Sequence, residues 1–378
     1  MTPFIVGLRS SVRDMAFLGT KTLYNRVGHN TGNLAFHAAI DAHLGGNLPS
    51  VGWDAPAELI NSMGAIGVVP AANQVGAHAD YGGLARTFEE LKCRLVMIGL
   101  GAQTGVDGSI PQVPEGTQAW VRQVASRGIP GTPNISVRGP LTKKVLDHYG
   151  LGEQALVIGC PSLFINPDPH LGESIEKNRR LVKRIAVAGG HPQWKHLGKI
   201  EASLAAVVTA TGGSYVGQSP ESAIALTRGE AKVMSEEDVK SCRDYICPSM
   251  SIEEFIQWSE RHCDVFFDIP GWMEHYRRFD LVIGTRIHGV MLALQAGIPG
   301  VCIAHDSRTL ELCQTMMVPY VLARDVSGGI SREHLSDIFQ FNGKAFDENR
   351  RVLAKRYFSF LTSNDLKPVN WLGVIARI

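Results

Sequence analysis

The sequence predicts an α/β fold of two Rossmann-like domains facing a cleft, on three observations. Short apolar runs alternate with helical stretches at close intervals, the pattern of parallel sheets covered by helices. The alternation breaks around Pro167, Pro169 and Gly172, then restarts at Arg184. A length of 378 residues is long for one core and natural for two.

The first strand is predicted over residues 4–8. Val27-Gly28-His29-Asn30-Thr31-Gly32-Asn33 then runs into the helical sequence AAIDAHL. Glycines and small polar residues directly before a helix make a loop whose free N–H groups can meet an anion. A short helix precedes strand 66–70, and helix 82–92 leads into strand 95–103, which opens into a glycine turn. Helix 117–127 is followed by strand 135–139, with Arg138 at its end. Pro140 begins helix 140–149, because proline already holds a helical φ and lacks the N–H that would go unpaired. Strand 155–159, closed by Cys160-Pro161-Ser162, completes a first domain of residues 1–170.

Residues 166–178 read as the interdomain linker, and the basic run Lys177, Arg179, Arg180, Lys183, Arg184 as a solvated edge. The second domain, 180–345, opens with strand 184–190, and His191 and Trp194 lie just past its glycine turn. Helix 199–211, strand 214–216, a polar helical region to about Cys247, helix 252–262 and amphipathic helix 272–279 follow. Residues 346–378 form a C-terminal helix and tail predicted to pack back on the first domain.

Asp280 to Arg308, DLVIGTRIHGVMLALQAGIPGVCIAHDSR, is the centre of the chemistry. Leu281-Val282-Ile283 is a strand buried on both faces. Helix 289–296 is stopped by Gly297 and Pro299, and strand 301–304 follows. Thr285-Arg286-Ile287-His288 lies between the first strand and the helix. In an open α/β sheet that junction is the carboxyl edge, where ligands meet unpaired helix N–H groups. Arg286 and His288 both stand there, and Asp306-Ser307-Arg308 brings another cation to the same edge. Helix 310–316 and strand 320–322 end the domain.

Composition narrows the function classes. Hydrophobic content of 44% with 19% charge is that of a globular protein, and a net charge of +1 gives nucleic acid no support as partner. Seven cysteines, with no C-x-x-C pair and no zinc spacing, read as thiols of a reducing compartment, so a cytoplasmic location without a metal is expected. MTPFIVGLRS lacks the pattern of a signal peptide. Gln295, Gly297 and Pro299 interrupt the longest apolar runs, so no transmembrane segment is expected. The basic face would allow peripheral contact with the inner membrane. No G-x-G-x-x-G opens a helix, and neither a Walker A sequence nor a G-x-S-x-G elbow occurs.

ISVRGPLTKKVLDHYGL, VIGCPSLF and the stretch from Asp280 to Cys313, with GHNTGNLAF, VVPAANQ and IGLGAQ before them, resemble the polysaccharide pyruvyl transferase family. The resemblance runs from His29 to Leu312. It implies a GT-B-like fold and transfer of the pyruvyl group of phosphoenolpyruvate onto hydroxyls of a surface polysaccharide or its precursor, as a ketal. It also implies that Arg138, Arg286, Ile287 and His288 contact the donor. The residue chemistry points the same way, since arginine forks suit a phosphate and a carboxylate and an imidazole can move protons near neutral pH. His288 is expected to be catalytic, Arg308 an added clamp, and phosphoenolpyruvate a co-substrate with no further cofactor. Asn33, Asn73, Gln103 and His191 are expected to face the saccharide acceptor, lipid-linked or free. Two departures from the family pattern stand out: Gly32-Asn33 in place of Gly-Asp, which removes a carboxylate, and Cys160-Pro161 in place of Asp-Pro. A GT-B glycosyltransferase with a nucleotide-sugar donor is the alternative. It would need a carboxylate for the ribose, for which Asp306 and Glu311 are the candidates. A non-catalytic sugar-binding protein would need no arginine and histidine at such a turn.

Overall fold

The computed structural model describes residues 3–105 and 108–377. Its strands form two six-stranded sheets in which every pairing is parallel. The N-terminal sheet contains β1 (Phe4–Val6), β2 (Ser50–Val51), β3 (Ile66–Pro70), β4 (Arg94–Leu100), β5 (Ile135–Val137) and β6 (Ala155–Val157), in the order β2-β1-β3-β4-β5-β6. The C-terminal sheet contains β7 (Ile185–Ala188), β8 (Ser214–Val216), β9 (Cys263–Asp264), β10 (Leu281–Gly284), β11 (Gly300–Ala304) and β12 (Tyr320–Leu322), in the order β12-β11-β10-β7-β8-β9. Two Rossmann-like sheets with flanking helices face a shared cleft, a GT-B-like arrangement. The strand order reverses beside β1 in the first sheet and between β7 and β10 in the second. Those reversals leave crevices at the strands' carboxyl ends.

β1, β3, β7, β10 and β11 are buried along their whole length, which is why they read as continuous apolar runs rather than alternating ones. β2 and β9 are two residues each, too short to carry a period, and the sequence did not suggest them.

Two departures from the sequence reading matter for the site. The helix after β10 is Ile287–Gln295, so His288 sits in its first turn and Arg286 is the N-cap. Within the stretch read as linker, Leu171–Lys177 is a helix with Leu171, Gly172 and Ile175 buried. The chain crosses between sheets just after it.

What buries that helix is the C-terminal segment, Gly343–Ser363. Asp347 accepts bonds from the N–H groups of Gly172 (2.6 Å) and Glu173 (3.0 Å), capping a helix start that would otherwise leave donors unpaired. Arg350 donates to the carbonyls of Leu163, Asn166 and Asp168. Asn364 donates to Pro133 O at 2.9 Å, and Asp365 pairs with Arg94 at 2.8 Å. A chain segment that follows the second sheet thus closes the first domain.

His43 is fully buried at this junction. Its Nε2 lies 3.1 Å from Phe164 O and its Nδ1 3.4 Å from the Tyr357 hydroxyl, so the neutral ring donates to the carbonyl and accepts from the hydroxyl. Burial pushes its pKa down to about 4. A group whose folded pKa is depressed contributes stability above its unfolded value and loses it as pH falls through the folded value. Between pH 6.5 and 4 stability is therefore expected to fall by about 3 kcal/mol from His43 alone. Calorimetric Tm against pH checks this, and a flat profile there would remove the assignment.

Candidate functional site

Every side chain of the site follows the carboxyl end of a strand or starts a helix at that edge, which is why two distant stretches of chain supply one cavity. From the first domain come Asn30 and Asn33 of the glycine loop, Ala72 and Asn73 after β3, and Arg138 after β5. From the second come Trp194 after β7, Gln218 after β8, Thr285 to His288 after β10, and Arg308 with Thr309 after β11. Together they enclose a polar cavity of about 70 Å³. Arg138, Arg286, His288 and Arg308, far apart in the chain, thus line one space.

The guanidinium groups are held differently. Arg138 is almost wholly buried. Its backbone N–H donates to Leu100 O and its Nε to Gly99 O, each at 2.9 Å, while Nη2 is buried without a partner. Arg286 lies under the Trp194 ring at 4.5 Å from the centroid, and both its Nε and Nη2 are buried without a partner. A buried guanidinium donor without an acceptor is costly, and two arginines that line one cavity both carry such donors, an arrangement that an anion would satisfy. Burial and the neighbouring Arg308 bring Arg286 down to about 10, which leaves it charged at neutral pH. Arg308 is partly satisfied already, donating to Asp306 Oδ2 at 3.1 Å.

The helix Ile287–Gln295 adds backbone donors. Arg286, its N-cap, makes no side-chain capping bond, so the first-turn N–H groups of Ile287 and His288 have no partner from a cap. Gly32 lets the domains close over this turn. A Cβ there would lie 2.8 Å from Gln218 Oε1 and 3.3 Å from His288 Cβ, and the neighbouring Thr31 N–H donates across the domain boundary to Gln218 O at 3.1 Å.

His288 has Arg138, Arg286 and Arg308 around it and no carboxylate among the described residues that line the cavity. Burial first, and then these three cations, hold its pKa well below the ordinary value. Its Nε2 is 3.7 Å from Cys160 Sγ, which in turn accepts from Ser162 Oγ at 3.1 Å. Phe36 fills the remaining side, its ring centroid 5.5 Å from the imidazole.

The four residues expected to face the acceptor do not form one group. Asn33 and Asn73 line this same cavity. The Asn33 amide nitrogen is engaged by Val27 O and Gly28 O at 3.1 and 2.9 Å, so its donor side holds the glycine loop together. Asn73 donates to Gln103 Oε1 at 2.8 Å and keeps a buried, unpartnered Oδ1. Gln103 is exposed behind it and is not a lining residue, so its role here is to orient Asn73. His191 stands beside Trp194 with ring centroids 5.8 Å apart, and burial with the nearby Arg286 lowers it to about 4; it too is absent from the cavity wall. Gln218, 1% exposed with an unpartnered Nε2, was missed by the sequence reading. Its only signal was a position just past a short strand.

The carboxylates considered for a ribose are engaged elsewhere. Asp306 caps the helix Ser307–Met316 through Thr309 N–H at 2.7 Å and pairs with Arg308. Burial raises its pKa, but Arg308, His305 and Thr309 bring it below the usual value. Glu311 reaches into the first domain, accepting from Thr142 N at 2.7 Å and Thr142 Oγ1 at 2.8 Å. Among the described residues one group of three could hold a metal ion, His170, Glu173 and Asp347, and none of them lines the cavity. No helix of the described residues is long and apolar enough to cross a membrane.

A family model described as "Polysaccharide pyruvyl transferase" matches residues 51–307, more than half of the chain. No curated protein gives a match. Among solved structures the chain is similar to Anabaena Alr3699/HepE in complex with UDP (13% identity, 100% of each chain covered, TM-score 0.43). It is also similar to UDP-GlcNAc 2-epimerase from Methanocaldococcus jannaschii (10%, 93% of this chain and 99% of that one, 0.42) and UDP-N-acetylglucosamine 2-epimerase from Rickettsia bellii (9%, 100% and 98%, 0.42). Likeness at this level transfers no function.

Proposed function

The chain belongs to the polysaccharide pyruvyl transferase family, and on that premise we propose that it transfers the pyruvyl group of phosphoenolpyruvate to two hydroxyls of a saccharide, forming a ketal. The observation that carries the reading is the set of unpartnered, buried guanidinium nitrogens that Arg138 and Arg286 bring to the wall of one small cavity beside His288. Phosphoenolpyruvate presents a carboxylate and a phosphate on one planar carbon frame. Two forks and a helix N-terminus answer both groups in fixed orientation.

The balance of the reaction assigns the remaining roles. A proton added to the methylene carbon makes C2 electrophilic. A sugar hydroxyl adds there, and phosphate leaves with the electron pair of its C–O bond. A second hydroxyl then closes the ring, and the two hydroxyl protons pass to phosphate and back to the acid. His288 is the group placed to deliver the first proton. In the free protein it is neutral because of burial and three guanidinium groups. A bound dianion lying among those cations cancels their field and lets the imidazole take up a proton, so the donor itself arms the acid. Cys160, against Nε2, holds the ring in place. No carboxylate among the described residues lines the cavity, and the attacking hydroxyl's proton goes to the departing phosphate or the imidazole.

The nucleotide-sugar alternative is weakened by Asp306 and Glu311, whose oxygens are engaged in a cap, an ion pair and an interdomain clasp. A thermal-shift comparison separates the two readings. Phosphoenolpyruvate at about 100 times its Kd is expected to stabilise the protein by about 2.7 kcal/mol, and a panel of nucleotide sugars is expected to leave Tm unchanged. The reverse result would replace the proposal by its alternative.

A further inference from the structure

Glu201, on the helix Gly198–Thr211 that follows β7, is a wholly buried carboxylate. It stands behind the donor cavity and not in its wall. Its Oε1 accepts from the Gly190 N–H at 2.7 Å and from the Tyr215 hydroxyl at 2.6 Å, and its Oε2 lies 3.4 Å from the Tyr245 hydroxyl. The His191 backbone already bonds the Tyr245 oxygen, so that hydroxyl's proton is free to point at the carboxylate. All three contacts are donors, the surroundings of an ionised group.

These bonds act on the turns that build the cavity. β7 lies between β8 and β10, and its turn, Gly189-Gly190-His191, leads to Trp194 over Arg286. A Cβ at Gly190 would lie 2.5 Å from Tyr245 Oη, 2.7 Å from Glu201 Oε2 and 2.9 Å from Thr285 Oγ1. Only the Gly190 backbone therefore stands between the carboxylate and the residue before Arg286. Among the described residues Glu201 forms no ion pair, so the Arg286 nitrogens keep their lack of a partner. Its charge still reaches them. Burial raises the Glu201 pKa, and the Gly190 N–H, the Tyr215 hydroxyl and then Arg286 draw it back.

A buried negative charge behind an anion site is costly to keep, and it weakens the site it stands behind. A neutral side chain would fill the same space with neither effect. The consequence is a limit on affinity. Three guanidinium groups around a small cavity grip any phosphate, and a free phosphate brings up to two charges and three strong acceptor oxygens.

We propose that Glu201 is an ionised positioning residue of this site, which fixes the turn beside Arg286 and weakens the grip on inorganic phosphate so that this product leaves. That phosphate is the product rests on the donor reading; the effect of Glu201 on a bare anion does not.

Glu201→Gln separates charge from shape. Its carbonyl oxygen can accept the same two bonds and its amide can donate to the Tyr245 oxygen, so the charge alone is lost. Calorimetric titration of the full chain with inorganic phosphate is expected to show about tenfold tighter binding in this variant, the effect of a unit charge removed at several ångströms inside a protein. With phosphoenolpyruvate as donor, kcat is expected to fall while kcat/KM does not, because phosphate release slows. Glu201→Asp keeps the charge on a shorter stem and is expected to bind phosphate as the wild type does. Unchanged or weaker phosphate binding in the Gln variant would overturn the proposal. Equal tightening in the Asp variant would also overturn it, by tracing the gain to a loosened turn. If Tm shows that the Gln variant does not fold, the Asp variant decides alone, and lost or tightened phosphate binding there counts against the proposal. A wild type that binds phosphate and ignores phosphoenolpyruvate would sink the donor reading and leave this one standing, whereas one that binds neither would overturn both.

Discussion

Arg286→Met is expected to cost donor binding roughly 2–5 kcal/mol, the loss typical of truncating one partner of a desolvated charge pair, while the free protein becomes no less stable. The two effects share one cause. Arg286 Nε and Nη2 have no partner in the free protein, and burial together with Arg308 works against the charge. Methionine keeps an unbranched stem beneath Trp194 and removes the uncompensated cation. Titration with phosphoenolpyruvate reads the first effect and calorimetric Tm the second. A variant that binds the donor normally, or that unfolds at a distinctly lower temperature, would show that Arg286 serves the fold instead. Arg138 is a less clean probe, because its Nε is bonded to Gly99 O and truncation would disturb β4 and β5.

His288→Asn is expected to lower turnover by about 10²–10⁴, the contribution of a positioned general acid, and to abolish a proton uptake that accompanies donor binding. The sign follows from the site. Buried, and with Arg138, Arg286 and Arg308 facing it and no carboxylate among the described lining residues, the imidazole is neutral in the free protein, its pKa well below the ordinary value. A donor with at least two negative charges reverses the local field and raises that pKa. Binding therefore takes up protons between the two pKa values and tightens as pH falls through the bound-state pKa toward the free-state one. Titration in buffers of different ionisation enthalpy measures the uptake. The titration of the donor's own phosphate is common to both proteins, so the difference between wild type and variant isolates the imidazole. Equal proton uptake in the two would take His288 out of this role, whatever its effect on rate.

Much of this site could be read from the chain because strand-to-helix junctions are local objects. A buried apolar run followed by a polar turn and a helix announces a carboxyl edge, and an arginine or histidine in that turn must stand there. Arg138, Arg286, His288 and Arg308 were all visible on those terms. Helix boundaries were less so: nothing in Thr285-Arg286-Ile287-His288 says that the helix begins at Ile287 rather than Gly289, since an isoleucine and a histidine suit either state.

Residues whose role depends on a partner far along the chain could not be read. Gln218 stands opposite Gly32, and Cys160 touches His288 across the domain boundary. Glu311, legible only as an acidic residue near a likely edge by sequence count, turns out to cap a helix of the other domain. Asn33, which looked like an acceptor contact, ties up its own loop. Residues 166–178 looked like a linker because proline and glycine cluster there, yet Asp347 and Arg350 from the C-terminal helix bind and bury that segment.

By itself the sequence determined the two parallel sheets, the order of their longer strands and helices, and which cations stand at the strands' carboxyl edges, because periodicity and junction chemistry are written within a few residues. Only the tertiary structure decided which guanidinium nitrogens lack partners, which carboxylates are already engaged, and that Arg138 of one domain lines the same cavity as Arg286, His288 and Arg308 of the other. Those are properties of distances between segments, set by how the two domains close on each other.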